Sequence, residues 1–157
     1  MEKDAIYMKR AIELAQQNAL SAHGGPFGAV IVRDGNVISE ASNSVTPDND
    51  PTAHAEVNAI RKACKKLNTF DLSGATLYTS CEPCPMCLSA AYWARVDRIV
   101  FGANREDAAR AGFSDDFIYK ELSLDPEQRS IPIESILEKE SQEPFETWIS
   151  NLDKTPY

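Results

Sequence analysis

Two short segments, His54-Ala55-Glu56 and Pro83-Cys84-Pro85-Met86-Cys87, offer one imidazole, two thiols and one carboxylate. Imidazole nitrogen and thiolate sulfur are zinc ligands. Three protein ligands in place of four leave a coordination position for water, which separates a catalytic centre from a structural one. Zinc in such a site brings the pKa of water toward neutrality, and hydrolysis then needs a base to take the proton and return it to a leaving group. Glu56, close to His54 in sequence, is placed for that task. Cys84 and Cys87 stand three apart at a helix start opened by Pro83, so their sulfurs share one face, can grip one ion, and sit where first-turn amides favour thiolate. A redox Cys-x-x-Cys explains neither His54 nor Glu56. A non-catalytic, zinc-stabilised module is the other alternative and needs Cys81 as a fourth ligand. Cys81 ends a strand and is parted from Cys84 by Glu82-Pro83, so its sulfur need not point the same way. Cys64 reads as a small core residue.

The elements that carry these residues follow from patterning. Ile6, Ala11, Ile12, Leu14, Ala15 and Ala19 recur near a 3.6-residue period, without Gly or Pro, which predicts an amphipathic helix over 3–20. Gly24-Gly25-Pro26 breaks the chain before an apolar run at 27–33; Asp34-Gly35 then predicts a hairpin whose second strand is 36–43 and antiparallel to the first. The polar loop 44–52 leads to a helix over 53–66, with His54 and Glu56 in its first turn. Residues 76–80 read as a buried strand, 83–94 as a helix and 98–103 as a strand, a β-α-β-α-β succession that implies a three-layer sandwich. Beyond Gly112 the expectations are a turn and short helix at 113–119, a strand at 131–137 and a final helix at 144–152.

Composition bounds the partners. A chain of 157 residues is about one domain and buries roughly two-thirds of its unfolded surface. Net charge is -8, from 24 acidic and 16 basic residues, and no Lys/Arg run is present to track a phosphate backbone, so nucleic acid is not expected as a partner. No apolar stretch approaches the ~18 residues of a membrane span, and Glu2-Lys3-Asp4 begins no signal sequence; a cytoplasmic protein without membrane partners is expected. Three of the four cysteines crowd into 81–87, which fits metal binding in a reducing compartment better than a disulfide framework.

At these residues the chain resembles the zinc-dependent cytidine/deoxycytidylate deaminase superfamily, whose signature is H-x-E with P-C-x-x-C. Asp50-Pro51-Thr52-Ala53-His54-Ala55-Glu56 and Glu82-Pro83-Cys84-Pro85-Met86-Cys87 resemble its purine and tRNA adenosine branch. Gly24 to Val30, Tyr78 to Leu88, Tyr92-Trp93-Ala94-Arg95, Ala111-Gly112-Phe113 with Asp115, Phe117 to Glu121 and Tyr157 most resemble the bacterial guanine deaminases. The resemblance implies a cytidine deaminase-like α/β fold: a single domain over 1–157 with a mixed five-stranded sheet in a three-layer α/β/α sandwich. It implies one Zn2+ per subunit on His54, Cys84 and Cys87, with Glu56 shuttling protons from zinc-activated water, and conversion of guanine to xanthine and ammonia. It implies that Asn43 and the Ala55 amide meet polar edges of a purine base, that Phe27 and Trp93 wall the pocket, and that Asp115, rather than Asp116, accepts from guanine's donor edge. By residue type alone, Phe27 and Trp93 fit a core, Asn43 a turn and Asp115 a solvated charge. The resemblance also implies a homodimer in which about 113–157 is exchanged and Tyr157 completes the neighbour's pocket. Adenosine in tRNA, or another nucleobase, is the alternative substrate.

Overall fold

The computed structural model describes residues 2–157. In chain order the elements are α1 (Glu2–Ser21), β1 (Gly28–Arg33), β2 (Asn36–Ser42), α2 (Val45–Asp48), α3 (Ala55–Leu67), β3 (Ala75–Cys81), α4 (Pro85–Trp93), β4 (Arg98–Ala103), α5 (Arg105–Arg110), α6 (Asp116–Leu122) and α7 (Glu143–Ser150). The strands lie in the order β2-β1-β3-β4. β1 is antiparallel to both β2 and β3, whereas β3 and β4 run parallel, with α4 between them in sequence. The hairpin forms as expected: Asp34 and Gly35 both take positive φ, 53° and 74°, the geometry that matches the twist of paired strands.

Side chains of β1 alternate between two cores. Ala29 and Ile31 pack with Ala59, Ala63 and Leu77, while Val30 and Val32 pack with Ala11 and Tyr78. The sheet is therefore covered on one face by α3 and on the other by α1, the three-layer arrangement that the succession of elements predicts. Because both faces are buried, β1 reads as a continuous apolar run. α1 buries Ala11, Ala15 and Asn18, a stripe at helical spacing, but Ile6 and Ile12 are exposed. Tyr7, Met8 and Leu14 pack around Ala11, and α1 lies so close to β1 that a Cβ on Gly28 would collide with the Ala11 carbonyl. Burial on this scale stabilises by about 25 cal/mol per Å2 of apolar surface.

Three expectations need correction. The sheet has four strands, not five: 131–137 has an irregular backbone. Strand geometry persists only where backbone N–H and C=O groups meet a partner strand, and 131–137 has none among the described residues. His54 is not in the first turn of its helix but caps it, with extended backbone at φ -71°, ψ 154°. The loop after β2 contains the short helix α2, and α5, unanticipated, is held by a capping box between Asn104 and Asp107.

The chain forms two compact units, one ending at Asp116 and the other Phe117–Tyr157. The second holds most of α6, 3-10 turns at Pro126–Gln128 and Glu140–Gln142, and α7. Glu121 ties it internally, its carboxylate accepting from the Ser130 N–H and hydroxyl at 2.7 and 2.8 Å. Among the described residues, no helix is long and apolar enough to cross a membrane.

Candidate active site

Two helix starts bring the ligands together. α3 begins at Ala55 directly after His54, and α4 begins at Pro85 with Cys84 as its cap. Pro at the first helical position costs no hydrogen bond and presets φ; it leaves Cys84 outside the helix and Cys87 one turn in. The Cys87 N–H lies 3.5 Å from the Cys84 sulfur. His54 Nδ1 lies 3.5 Å from Cys84 Sγ and 3.4 Å from Cys87 Sγ, and the three donor atoms all fall within 4.8 Å of one another. Tetrahedral zinc with ordinary Zn–N and Zn–S bonds separates its nitrogen and sulfur ligands by about 3.6 Å. The donor set and its spacing therefore fit zinc, and Nδ1 is the imidazole nitrogen that faces the sulfurs.

Electrostatics favour metal capture. Cys84 and Cys87 share a proton held on Cys87; the hydrogen bond from Cys87 draws the Cys84 thiol down to about 4, with His54 adding to the effect. A ready thiolate is what a metal ligand requires. The imidazole of His54 is shifted upward, first by its contact with Cys84. Cys81 behaves differently. Burial, then the charges of Glu56 and Asp115, push its thiol up to about 11, and its Sγ faces the Asn104 carbonyl at 3.7 Å. It stands outside the three-donor cluster, so a closed four-ligand structural centre is not what these residues build.

Glu56 is 5 % exposed. Its Oε2 lies 3.4 Å from Cys87 Sγ and its Oε1 accepts from the Thr79 hydroxyl at 3.0 Å. Desolvation raises its pKa, against the hydrogen bonds that favour the charged form. A carboxyl pushed upward by burial while bonded on its charged form is poised to take up and release a proton.

Asn43 is buried and oriented by the backbone: its Oδ1 accepts from the N–H groups of Gly25 and Val45, both at 3.2 Å. With the oxygen committed, the side chain presents its Nδ2 donor. Asn18 braces the same loop, donating to the carbonyls of Gly25 and Asn43 at 2.7 and 2.9 Å, and a Cβ on Gly24 would strike the Asn43 carbonyl. Ala55 is fully buried and its N–H belongs to the opening turn of α3, where amides have no intrahelical acceptor. The Phe27 ring meets Phe113 edge to face, centroids 4.9 Å apart. Asp115 is half-buried; its Oδ1 is buried with no hydrogen-bond partner among the described residues, and burial raises its pKa. Asp116 is exposed at the start of α6. Trp93 ends α4, six residues beyond Cys87, and is 70 % exposed; Tyr157 is 73 % exposed.

Sequence reasoning missed Thr79, Phe113 as a ring partner and the Glu82–Arg105 tie. Glu82 accepts from the Arg105 N–H at 3.2 Å and pairs with its guanidinium at 3.3 Å, fixing the loop before Cys84 to the start of α5. A threonine in a strand is unremarkable by propensity; its only signal is a hydroxyl on the same face as Leu77 in a buried run.

The comparisons agree with this geometry. Residues 1–103 match the family model described as the cytidine and deoxycytidylate deaminase zinc-binding region. The chain is 52% identical over 151 residues to the guanine deaminase of Bacillus subtilis (strain 168), covering 96% of this chain and 97% of that one. A crystal structure of guanine deaminase from Bacillus subtilis superposes with a TM-score of 0.95 over 98% of both chains, at 52% identity. The tRNA-specific adenosine deaminase of Bacillus subtilis (strain 168) is 46% identical over 103 residues, covering 66% of this chain and 63% of that protein.

Proposed function

We infer the function from one premise: this chain belongs to the cytidine and deoxycytidylate deaminase zinc-binding family. It is a zinc-dependent hydrolase that deaminates guanine to xanthine and ammonia. The reading is carried by a buried carboxylate, Glu56, set against a three-donor cluster of His54, Cys84 and Cys87; the choice of guanine draws on near full-length similarity to a guanine deaminase.

Zinc held by those three residues supplies Lewis acidity that makes a water nucleophilic near neutral pH. Glu56 accepts a proton from the water whose oxygen bonds to C2 and delivers it to N3, then carries the proton of the new C2 hydroxyl to the amine as the C2–amine bond breaks, acting as base and then acid. Asn43, with its oxygen tied to backbone, donates to an acceptor on the base, and the Ala55 N–H does the same. The unpartnered Oδ1 of Asp115 matches guanine's N1–H and amino donors; satisfying such an atom only in the complex is a strong basis for discrimination. Phe27, with Phe113, supplies an apolar wall.

The protein acts as a homodimer in this reading. Trp93 walls the pocket with Phe27, and Tyr157, exposed in the single chain, meets substrate across the subunit boundary on a swapped C-terminal segment. One zinc serves each subunit.

Ammonia release from guanine, adenine, cytosine, guanosine and cytidine tests the substrate; preference for any base but guanine overturns it while sparing the mechanism. Glu56→Gln should lower kcat by at least about 1,000-fold, some 4 kcal/mol of barrier, with zinc retained. The tRNA adenosine reading rests on the similarity to the adenosine deaminase; salt-dependent binding of an anticodon stem-loop would favour it.

A further inference from the structure

We infer that Thr79 is a positioning residue for Glu56, its hydroxyl holding one carboxylate oxygen against β3 so that the other faces the metal ligands. This deepens the proposed function and rests on Glu56 carrying the proton. Thr79 Oγ1 lies 3.0 Å from Glu56 Oε1, while Glu56 Oε2 lies 3.4 Å from Cys87 Sγ, so the two oxygens are held on different sides of the carboxyl group. The last torsion of a glutamate is broad and poorly self-defined, and a proton carrier must keep its working oxygen within hydrogen-bond reach of the reacting atoms. Thr79 supplies the missing constraint. It is 1 % exposed; β3 lies between β1 and β4, with Thr79 opposite Ala29 and Phe101; and a β-branched side chain is stiff at χ1. The hydroxyl is thus aimed by the framework.

The same hydroxyl has a second acceptor, the Cys81 carbonyl, also at 3.0 Å. One hydrogen cannot serve both. While Glu56 is charged, the hydroxyl donates to Oε1, the stronger acceptor.

Steady-state turnover of guanine by the zinc-loaded full chain tests this with Thr79→Val, equal in shape without the hydroxyl, Thr79→Ala as a second variant lacking it, and Thr79→Ser, which keeps it. Displacement of a catalytic group by an ångström costs on the order of a hundredfold; kcat of the hydroxyl-less variants should fall between about tenfold and that limit, with KM within about twofold and zinc stoichiometric. Thr79→Ser should restore most of kcat. Placed on Glu56→Gln, Thr79→Val should cost nothing further. Native kcat in Thr79→Val, equal losses in the serine and valine variants, or a full additional loss on Glu56→Gln each overturns the inference. Native chain unable to release ammonia from guanine overturns the reading of the site and this inference with it.

Discussion

The unit ending at Asp116 and the unit Phe117–Tyr157 are built on opposite terms. The first encloses two cores on either side of a sheet and keeps Ile31, Leu72 and Leu77 completely buried. In the second no residue is buried, although it contains Ile131, Ile133, Ile136, Leu137, Phe145, Trp148 and Ile149. Apolar content alone does not make a core: the first unit pairs a sheet with helices on both faces, whereas the second has short helices and turns with no sheet to cover. A segment of that size with large apolar side chains in water is poorly supported by its own contacts, which is the observation that motivates the exchanged homodimer proposed above. The three-donor cluster and Glu56 lie in the first unit, as do Phe27, Asn43, Ala55 and Asp115.

The contrast is most sharply broken or upheld by metal. Removing zinc with a chelator should abolish guanine turnover and lower the melting temperature, both restored by zinc; activity surviving in metal-free protein would falsify the assignment of chemistry to the first unit. Core truncation comes next. Leu77→Ala should cost about 2–5 kcal/mol in denaturant unfolding, whereas Leu152→Ala, at a residue 96 % exposed, should cost under about 0.5 kcal/mol in dilute monomer. At concentrations where dimer forms, the Leu152→Ala penalty should grow, since stability then depends on association; a concentration-independent value would argue against a partner over this segment.

Deleting Pro156-Tyr157 should lower kcat/KM by about tenfold, or 1.4 kcal/mol, with zinc content unchanged. Unaltered kinetics would remove the C-terminus from the pocket. The smallest effect belongs to Asp4, which accepts from Arg98 at 2.9 and 3.0 Å and from the Tyr78 hydroxyl at 2.6 Å, joining α1 to β3 and β4. Arg98, then Tyr78, lower its carboxyl from 3.8 to about 2. A group depressed in the folded state contributes above its unfolded pKa and loses that contribution as pH falls through the folded value, so native protein should lose this support between about pH 4 and pH 2. Asp4→Asn should melt slightly lower at pH 7 and show less change across that window.

The elements that hold the metal ligands were legible because their signals are local. Apolar runs, Asp34-Gly35 and the Pro flanking Cys84 each act within a few residues, and H-x-E with P-C-x-x-C is a pattern of ligand types that zinc chemistry itself restricts. The strand expected at 131–137 failed because strand formation is decided by a partner, which no local pattern contains. His54 was misplaced by one position, inside α3 instead of capping it, since a cap differs from a first turn by a single backbone angle pair.

Residue type and spacing alone pointed to the side chains that could hold zinc, the carboxylate that stands beside them and how the sheet elements succeed one another. Tertiary structure alone decided that Nδ1 of His54 faces both sulfurs, that Cys81 turns to the Asn104 carbonyl, that Asn43 presents a donor, and that Thr79 grips Glu56 from 23 residues away. These last are orientations of single atoms, fixed by packing and hydrogen bonds between distant segments, and the identity of a residue carries no direction until the fold supplies its neighbours.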